Sequence, residues 1–140
     1  MHGAYPNIEL DFSQVAADLL IDNGDFLVGN LFTLFGYLKY EVSPLTNLAN
    51  SLAYDVMIPG NHDLDYGLDW LIKQSQELAM DYICANLYNL QGQRLFKPYT
   101  LKIMKDGTRI LVIGLMTSAF SQLTRPELVG QCVVQPALET

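Results

Sequence analysis

The chain has 140 residues, half of them apolar, and a net charge of −7. The apolar content excludes an intrinsically disordered chain, and the acidic balance excludes a basic face for a nucleic-acid polymer. No apolar stretch approaches the roughly 20 residues of a membrane span, and no signal peptide is visible. Charged residues make up only 16%, which favours strands buried on both faces within one domain.

The first half of the chain predicts a strand, a helix and a second strand. Residues 18–23 are a short apolar run with a polar end, which is typical of a buried parallel strand before a loop. Ser43 and Pro44 predict a helix N-cap and first turn, and apolar residues at helical spacing continue to Leu52. Residues 54–58 predict the next strand, which Pro59 and Gly60 end.

The second half predicts a helix, a strand and a hairpin. Apolar residues recur at helical spacing from Gly67 to Leu78, and residues 82–87 predict a third strand. Two β-rich runs, 99–105 and 108–115, flank Asp106-Gly107, which indicates a hairpin. This order predicts an α/β fold, in which a βαβ sheet is layered with helices and extended by an antiparallel hairpin. Residues after position 117 carry no secure pattern.

Two polar, glycine-containing clusters follow the first two predicted strands. They are residues 22–25 and residues 59–67, and they contain Asp25, Asn61 and His62. Ligands bind at the carboxyl ends of parallel strands, and carboxylate, amide and imidazole groups together suit a divalent metal. The clusters therefore predict a metal site at this edge of the sheet.

Plainer interpretations of these clusters remain open. Asp25 after Gly24 is also typical of a turn, His62 of a solvated loop, and residues 61–63 of a loop that caps its own backbone. Asp22 is the nucleophile that an aspartyl-phosphate mechanism would need, although its spacing to Asp25 departs from a D-x-D pattern. The two cysteines, at 84 and 132, form neither a zinc pair nor a disulfide framework.

Several motifs together resemble a known family. The pattern Gly-Asp-x-x-x-Gly at 24–29, followed by Gly-Asn-His-Asp at 60–63, resembles the calcineurin-like metallophosphoesterases. The surrounding sequence from Tyr54 to Leu68, and the later stretches 84–88 and 113–117, resemble the branch of 5′-nucleotidases and 2′,3′-cyclic-nucleotide 2′-phosphodiesterases. The resemblance covers most of the chain.

The resemblance implies a site with two divalent metal ions, of manganese, zinc, iron or magnesium. Asp25 would bridge the metals, Asn61 would bind the second, and His2 would be the histidine of the family's first block. His62 would lie beside the scissile phosphate, oriented by Asp65. The two metals would activate water for in-line attack, and the imidazole would stabilise charge or protonate the leaving group. Asn86 receives no role, and backbone capping is the favoured interpretation.

The chain departs from the family pattern in its later blocks. The family carries a further His and a Gly-His-x-His block, whereas the sequence contains only His2 and His62. Residues 1–140 are therefore expected to be a partial catalytic domain, truncated at both ends and lacking the family's substrate domain.

The expected function is metal-dependent hydrolysis of nucleotide or cyclic-nucleotide phosphate esters, weak or absent in this chain. The alternative is a non-catalytic piece that associates with itself or with a complementary chain. The family resemblance also suggests an exported protein, in the periplasm or at the cell surface.

Overall fold

The structure, a computed structural model, describes residues 17–29, 31–124, 127 and 130–139. Its centre is a parallel sheet of three short strands in the order β1, β2, β3, which are Ile21–Asp22, Val56–Met57 and Asp81–Tyr82. Ile21 lies opposite Val56, and Val56 lies opposite Asp81. This sheet and its connecting helices confirm the predicted α/β class.

Helices connect the parallel strands. Between β1 and β2 lie α1 (Leu31–Lys39) and α2 (Pro44–Ser51), and α3 (Leu68–Glu77) leads to β3. The helix start predicted at Ser43 is confirmed, because its side chain accepts a hydrogen bond from the backbone N of Leu45. Helix α1 had not been predicted. Within the described residues, no helix is long and apolar enough to cross a membrane.

The third predicted strand is divided between two sheets. Its start belongs to β3, whereas its end begins β4 (Leu87–Asn89), which pairs antiparallel with β7 (Cys132–Val134). Between them Ala85 donates its backbone N–H to Gly114 O at 2.7 Å, so the chain leaves the parallel ladder at this point. A short helix, α4 (Phe120–Leu123), precedes β7.

The predicted hairpin is present as β5 (Tyr99–Ile103) and β6 (Arg109–Ile113). Gly107 has φ of +86° in its turn, a conformation that favours glycine. The two strands form a sheet of their own instead of extending the parallel sheet. They join β3 through its continuation, where Ile83 bridges to Lys97 and Cys84 N donates to Lys97 O.

The main core lies between the parallel sheet and the helices. It contains buried apolar residues from the loop after β1, from β2, from α3 and from the tail, including Leu27, Met57, Leu71 and Phe120. Cys84 and Cys132 are buried in it as free thiols. This packing holds the strand ends, from which the polar loops emerge.

Candidate functional site

The loops that follow β1 and β2 meet through their glycines. Gly24 has φ of +100°, and a Cβ added there would lie 2.6 Å from Gly60 N and 2.7 Å from Gly60 Cα. Such contacts are too close for any side chain, and relieving them would require the backbone of the second loop to shift. The two polar clusters are therefore brought together as predicted, and glycine is what permits the approach.

Asp63 links the two loops. Its carboxylate accepts three backbone N–H bonds of 2.9 Å, with Oδ2 bonded to Asp25 N and Gly60 N and Oδ1 bonded to Leu27 N. The side chain is buried, with 1% of the residue exposed. Burial raises the pKa of Asp63 to about 6, although the three N–H bonds oppose the rise.

Asp25 adopts a left-handed backbone conformation. Its φ of +62° costs about 1–2 kcal/mol for a residue with a side chain. Its Oδ1 accepts the backbone N–H of His62 at 2.9 Å, and a Cβ on Gly60 would collide with that same oxygen. A conformation that costs free energy is thus held by contacts from the second loop, which places the carboxylate beside Asn61 and His62.

Asp25 and Asn61 line one cleft of about 370 Å³. Besides residues of the two loops, the segment after β6 contributes to its walls; the complete lining is Asn23, Asp25, Pro59, Gly60, Asn61, Leu115, Met116 and Thr117. The cleft therefore brings a carboxylate and a carboxamide together at the carboxyl ends of β1 and β2, where the sequence predicted a site.

The donor set of this cleft fits part of a metal site. A carboxylate and an amide oxygen are hard ligands that suit magnesium or manganese. The Asp25 carboxylate occupies space that a Cβ on residue 60 would fill, so glycine is needed there. Across the described residues, no group of three or more His, Cys, Asp or Glu side chains is placed to hold an ion. The fit is thus to two ligands, Asp25 and Asn61.

His62 and Asp65 lie one helical turn apart in the second loop. His62 Nδ1 is 3.2 Å from Asp65 Oδ2, and 55% of the histidine side chain is exposed. An ionised carboxylate only accepts hydrogen bonds, so Nδ1 carries a proton in this pairing and Nε2 is left to face a substrate. The predicted orientation of His62 by Asp65 is present in the geometry, whereas its catalytic role stays a prediction.

Asp22 is placed as a turn residue. Its Oδ1 accepts the N–H of Gly24 at 3.0 Å, and its side chain is not part of the cleft lining. Burial raises the pKa of Asp22, and the charge of Asp25 adds to this rise. These contacts favour local turn formation over the nucleophile role of an aspartyl-phosphate mechanism.

Of the remaining residues, Asn86 and Asp63 are buried side chains that bond to the backbone of neighbouring segments. His2 lies outside the described residues. Asn86 is buried, donates to Met116 O and Gln135 O, and accepts from Met116 N, which fits backbone capping. Asp63 was missed as a site residue: the self-capping pattern of residues 61–63 holds for its bond to Gly60 N but gives no sign of its bonds to the first loop.

The chain is similar to known nucleotidases and nucleotide phosphodiesterases. A 5′-nucleotidase of Vibrio parahaemolyticus is 41% identical over 83 residues, which cover 59% of this chain and 15% of the relative. A 2′,3′-cyclic-nucleotide 2′-phosphodiesterase/3′-nucleotidase of Yersinia enterocolitica is 33% identical over 146 residues, covering 95% of this chain and 22% of the relative. The chain therefore spans about a fifth or less of these relatives.

Solved structures give the same picture. The calcineurin-like phosphoesterase YfkN from Bacillus subtilis superposes with a TM-score of 0.73 and 26% identity, covering 86% of this chain and 41% of that one. The family model for calcineurin-like phosphoesterases matches residues 1–127, and enzymes of this family generally contain two metal ions. The chain belongs to the calcineurin-like phosphoesterase family.

Proposed function

We propose that this chain takes part in the metal-dependent hydrolysis of phosphate esters of nucleotides, of the 5′-nucleotidase or 2′,3′-cyclic-nucleotide phosphodiesterase type. One observation carries the proposal. Asp25 and Asn61 line the same cleft, and the Asp25 carboxylate accepts the backbone N–H of His62. The names of the relatives support both substrate types, so 5′-nucleotides and cyclic 2′,3′-nucleotides are both substrates to test.

In this proposal each residue has a distinct task. Asp25 and Asn61 would hold divalent metal, which supplies charge neutralisation and activates water when bound. His62 would hold a proton at Nε2 for the leaving oxygen, and Asp65 would keep the imidazole turned toward it. Asp25 also fixes the backbone of His62 through its Oδ1, which couples the metal-binding group to the proton donor.

Kinetics of point variants test the assignment of His62 and Asp65. The assay measures hydrolysis of a cyclic 2′,3′-nucleotide and of a 5′-nucleotide in the presence of Mn²⁺. We expect weak turnover that falls by about 100-fold in His62→Ala and about 10-fold in Asp65→Asn. Asp69→Asn, the same chemical change on an exposed residue four positions on, is the control and should leave turnover unchanged. Robust turnover that survives His62→Ala would refute the mechanism.

Calorimetric titration with Mn²⁺ tests the metal assignment independently. With Asp25 and Asn61 as the ligands the described residues offer, binding should be weak and should disappear in Asp25→Asn. Tight binding of two ions per chain would contradict the expected shortage of ligands.

Export to the periplasm or cell surface stays a prediction, which fractionation of cells that express the natural gene would check.

The alternative of a non-catalytic, associating chain has one observation in its favour. One face of the hairpin exposes large apolar side chains from both strands: Tyr99, Leu101, Ile103, Leu111 and Ile113. Extended apolar faces of this kind are typical of association sites. Size-exclusion chromatography with light scattering distinguishes the cases, because a monomer at all concentrations would argue against self-association.

A further inference from the structure

Among the residues that the structure describes, Asp63 is the buried carboxylate that contacts both loops of the site. Its Oδ2 is shared between Asp25 N in the first loop and Gly60 N in the second, both at 2.9 Å. Its Oδ1 accepts the backbone N–H of Leu27, two residues beyond Asp25, at the same distance. The carboxylate therefore holds the backbone at Asp25 and at Leu27 in the first loop, and at Gly60, the residue before Asn61, in the second.

These bonds fix the backbone next to the two side chains proposed to bind metal, Asp25 and Asn61. Asp25 has a left-handed backbone, and the bond from its N–H is one of the contacts that hold this conformation. Gly60, the residue before Asn61, lies so close to the first loop that a Cβ on it would collide with Asp25, and a Cβ on Gly24 would collide with Gly60. An apolar side chain at position 63 could not replace this link, because it would leave buried backbone N–H groups without a hydrogen-bond partner, which costs free energy.

We infer that Asp63 is a positioning residue, whose buried carboxylate sets the spacing between Asp25 and Asn61 by holding both loops through their backbone N–H groups. If Asp25 and Asn61 bind metal as proposed, the affinity for metal depends on Asp63, a residue that does not itself contact the metal. This consequence rests on the proposed function. Supporting residues of this kind change metal affinity by about 10–100-fold when mutated.

The hydrogen bonds can be measured in the unaltered protein by NMR. Scalar couplings across hydrogen bonds are expected between the Asp63 side-chain carboxyl carbon and the backbone nitrogens of residues 25, 27 and 60. Absence of these couplings overturns the inference, whether or not any variant folds.

The consequence is tested with Asp63→Asn, which keeps the size of the side chain and replaces one acceptor oxygen by a donor. We expect hydrogen-exchange protection to fall at the amides of residues 25 and 60, the side-chain amide resonance of Asn61 to shift, and Mn²⁺ affinity to fall at least 10-fold. Asp106→Asn is the matched control, because Asp106 also accepts a backbone N–H, from Thr108 at 2.8 Å, but lies in the hairpin turn. It should leave all three quantities unchanged.

Two further outcomes are decisive. If Asp63→Asn does not fold, Asp63→Glu keeps a charged acceptor and should fold with an intermediate Mn²⁺ affinity. Wild-type Mn²⁺ affinity together with an unshifted Asn61 side-chain amide, in either folded variant, overturns the inference. If the wild-type protein shows no Mn²⁺ binding that depends on Asp25, the proposed function fails, and the couplings and the Asn61 resonance still decide whether Asp63 positions the loops.

Discussion

The contact between Gly24 and Gly60 gives the sharpest test of how the cleft is built. In Gly24→Ala a methyl group would lie 2.6 Å from Gly60 N and 2.7 Å from Gly60 Cα, both backbone atoms. Gly24 also has φ of +100°, which costs about 1–2 kcal/mol for any residue with a Cβ. Forcing an extra methyl group into a closed space adds about 1–3 kcal/mol.

Gly29→Ala separates these two contributions. Gly29 has φ of +116°, at least as unfavourable for alanine, but a Cβ there meets nothing within 4 Å. Both variants therefore carry the backbone cost, and only Gly24→Ala carries the collision. We expect Gly24→Ala to be less stable than Gly29→Ala by about 1–3 kcal/mol.

Urea unfolding followed by circular dichroism measures this difference directly. In thermal unfolding it corresponds to a further decrease in Tm of about 3–9 °C, at roughly 3 °C per kcal/mol for a chain of this size. Because the collision pushes the two loops apart, Gly24→Ala should also weaken Mn²⁺ binding, whereas Gly29→Ala should not. Equal stability of the two variants would show that the loops are not in contact and would refute the description of the cleft.

Three further predictions concern buried polar groups, an ion pair and the thiols. Asn86→Asp removes donors to two backbone carbonyls in the interior and should lower the free energy of unfolding by about 2–4 kcal/mol. Asn89→Asp, a half-buried counterpart that keeps its two acceptor bonds, should change the free energy of unfolding by less than about 1 kcal/mol in the same urea assay. Hydrogen bonds from Lys102 and Thr100 hold the pKa of Asp81 below its ordinary value of 3.8, so the stability it contributes is present above about pH 4 and is lost as the pH falls through the folded pKa. Unfolding by urea at pH 7 and pH 3 should show a smaller loss of stability in Asp81→Asn than in the wild type, and an equal loss would contradict the pairing. Burial raises the pKa of both cysteine thiols, to about 11 for the one nearer the C-terminus, so neither should react with Ellman's reagent until the protein unfolds; rapid reaction of the native protein would show that they are accessible.

Local patterns predicted the elements whose determinants are local. The N-cap at Ser43, the apolar spacing of α3 and the Asp-Gly turn of the hairpin each depend on residues within a few positions of one another, and all three are present. Helix α1 escaped prediction because its sequence, Leu-Phe-Thr-Leu-Phe-Gly-Tyr-Leu-Lys, is apolar nearly all round and shows no polar face. Several of its large side chains are exposed, including Leu31, Phe35 and Leu38.

Elements that depend on distant partners could not be predicted. Strand β4 leaves the parallel sheet because its partner is β7, more than 40 residues later in the chain. The site shows the same division. Asp25, Asn61 and His62 were found because they follow apolar strands directly, whereas the links from Asp63 to residues 25 and 27 span more than 35 positions.

The two walls of the cleft are held by the same kind of interaction. On one side Asp63 ties together the loops after β1 and β2, and on the other Asn86 bonds to both the N–H and the C=O of Met116, whose neighbours line the cleft. Both side chains are buried, and the bonds of Asp63 to the two loops and of Asn86 to Met116 all end on backbone atoms. Each residue therefore fixes the course of a loop without offering its own group to a ligand. Apolar periodicity therefore predicts the sheet, whereas the cleft at its edge depends on two buried polar residues. Mutations of these residues should alter ligand binding and leave the sheet in place.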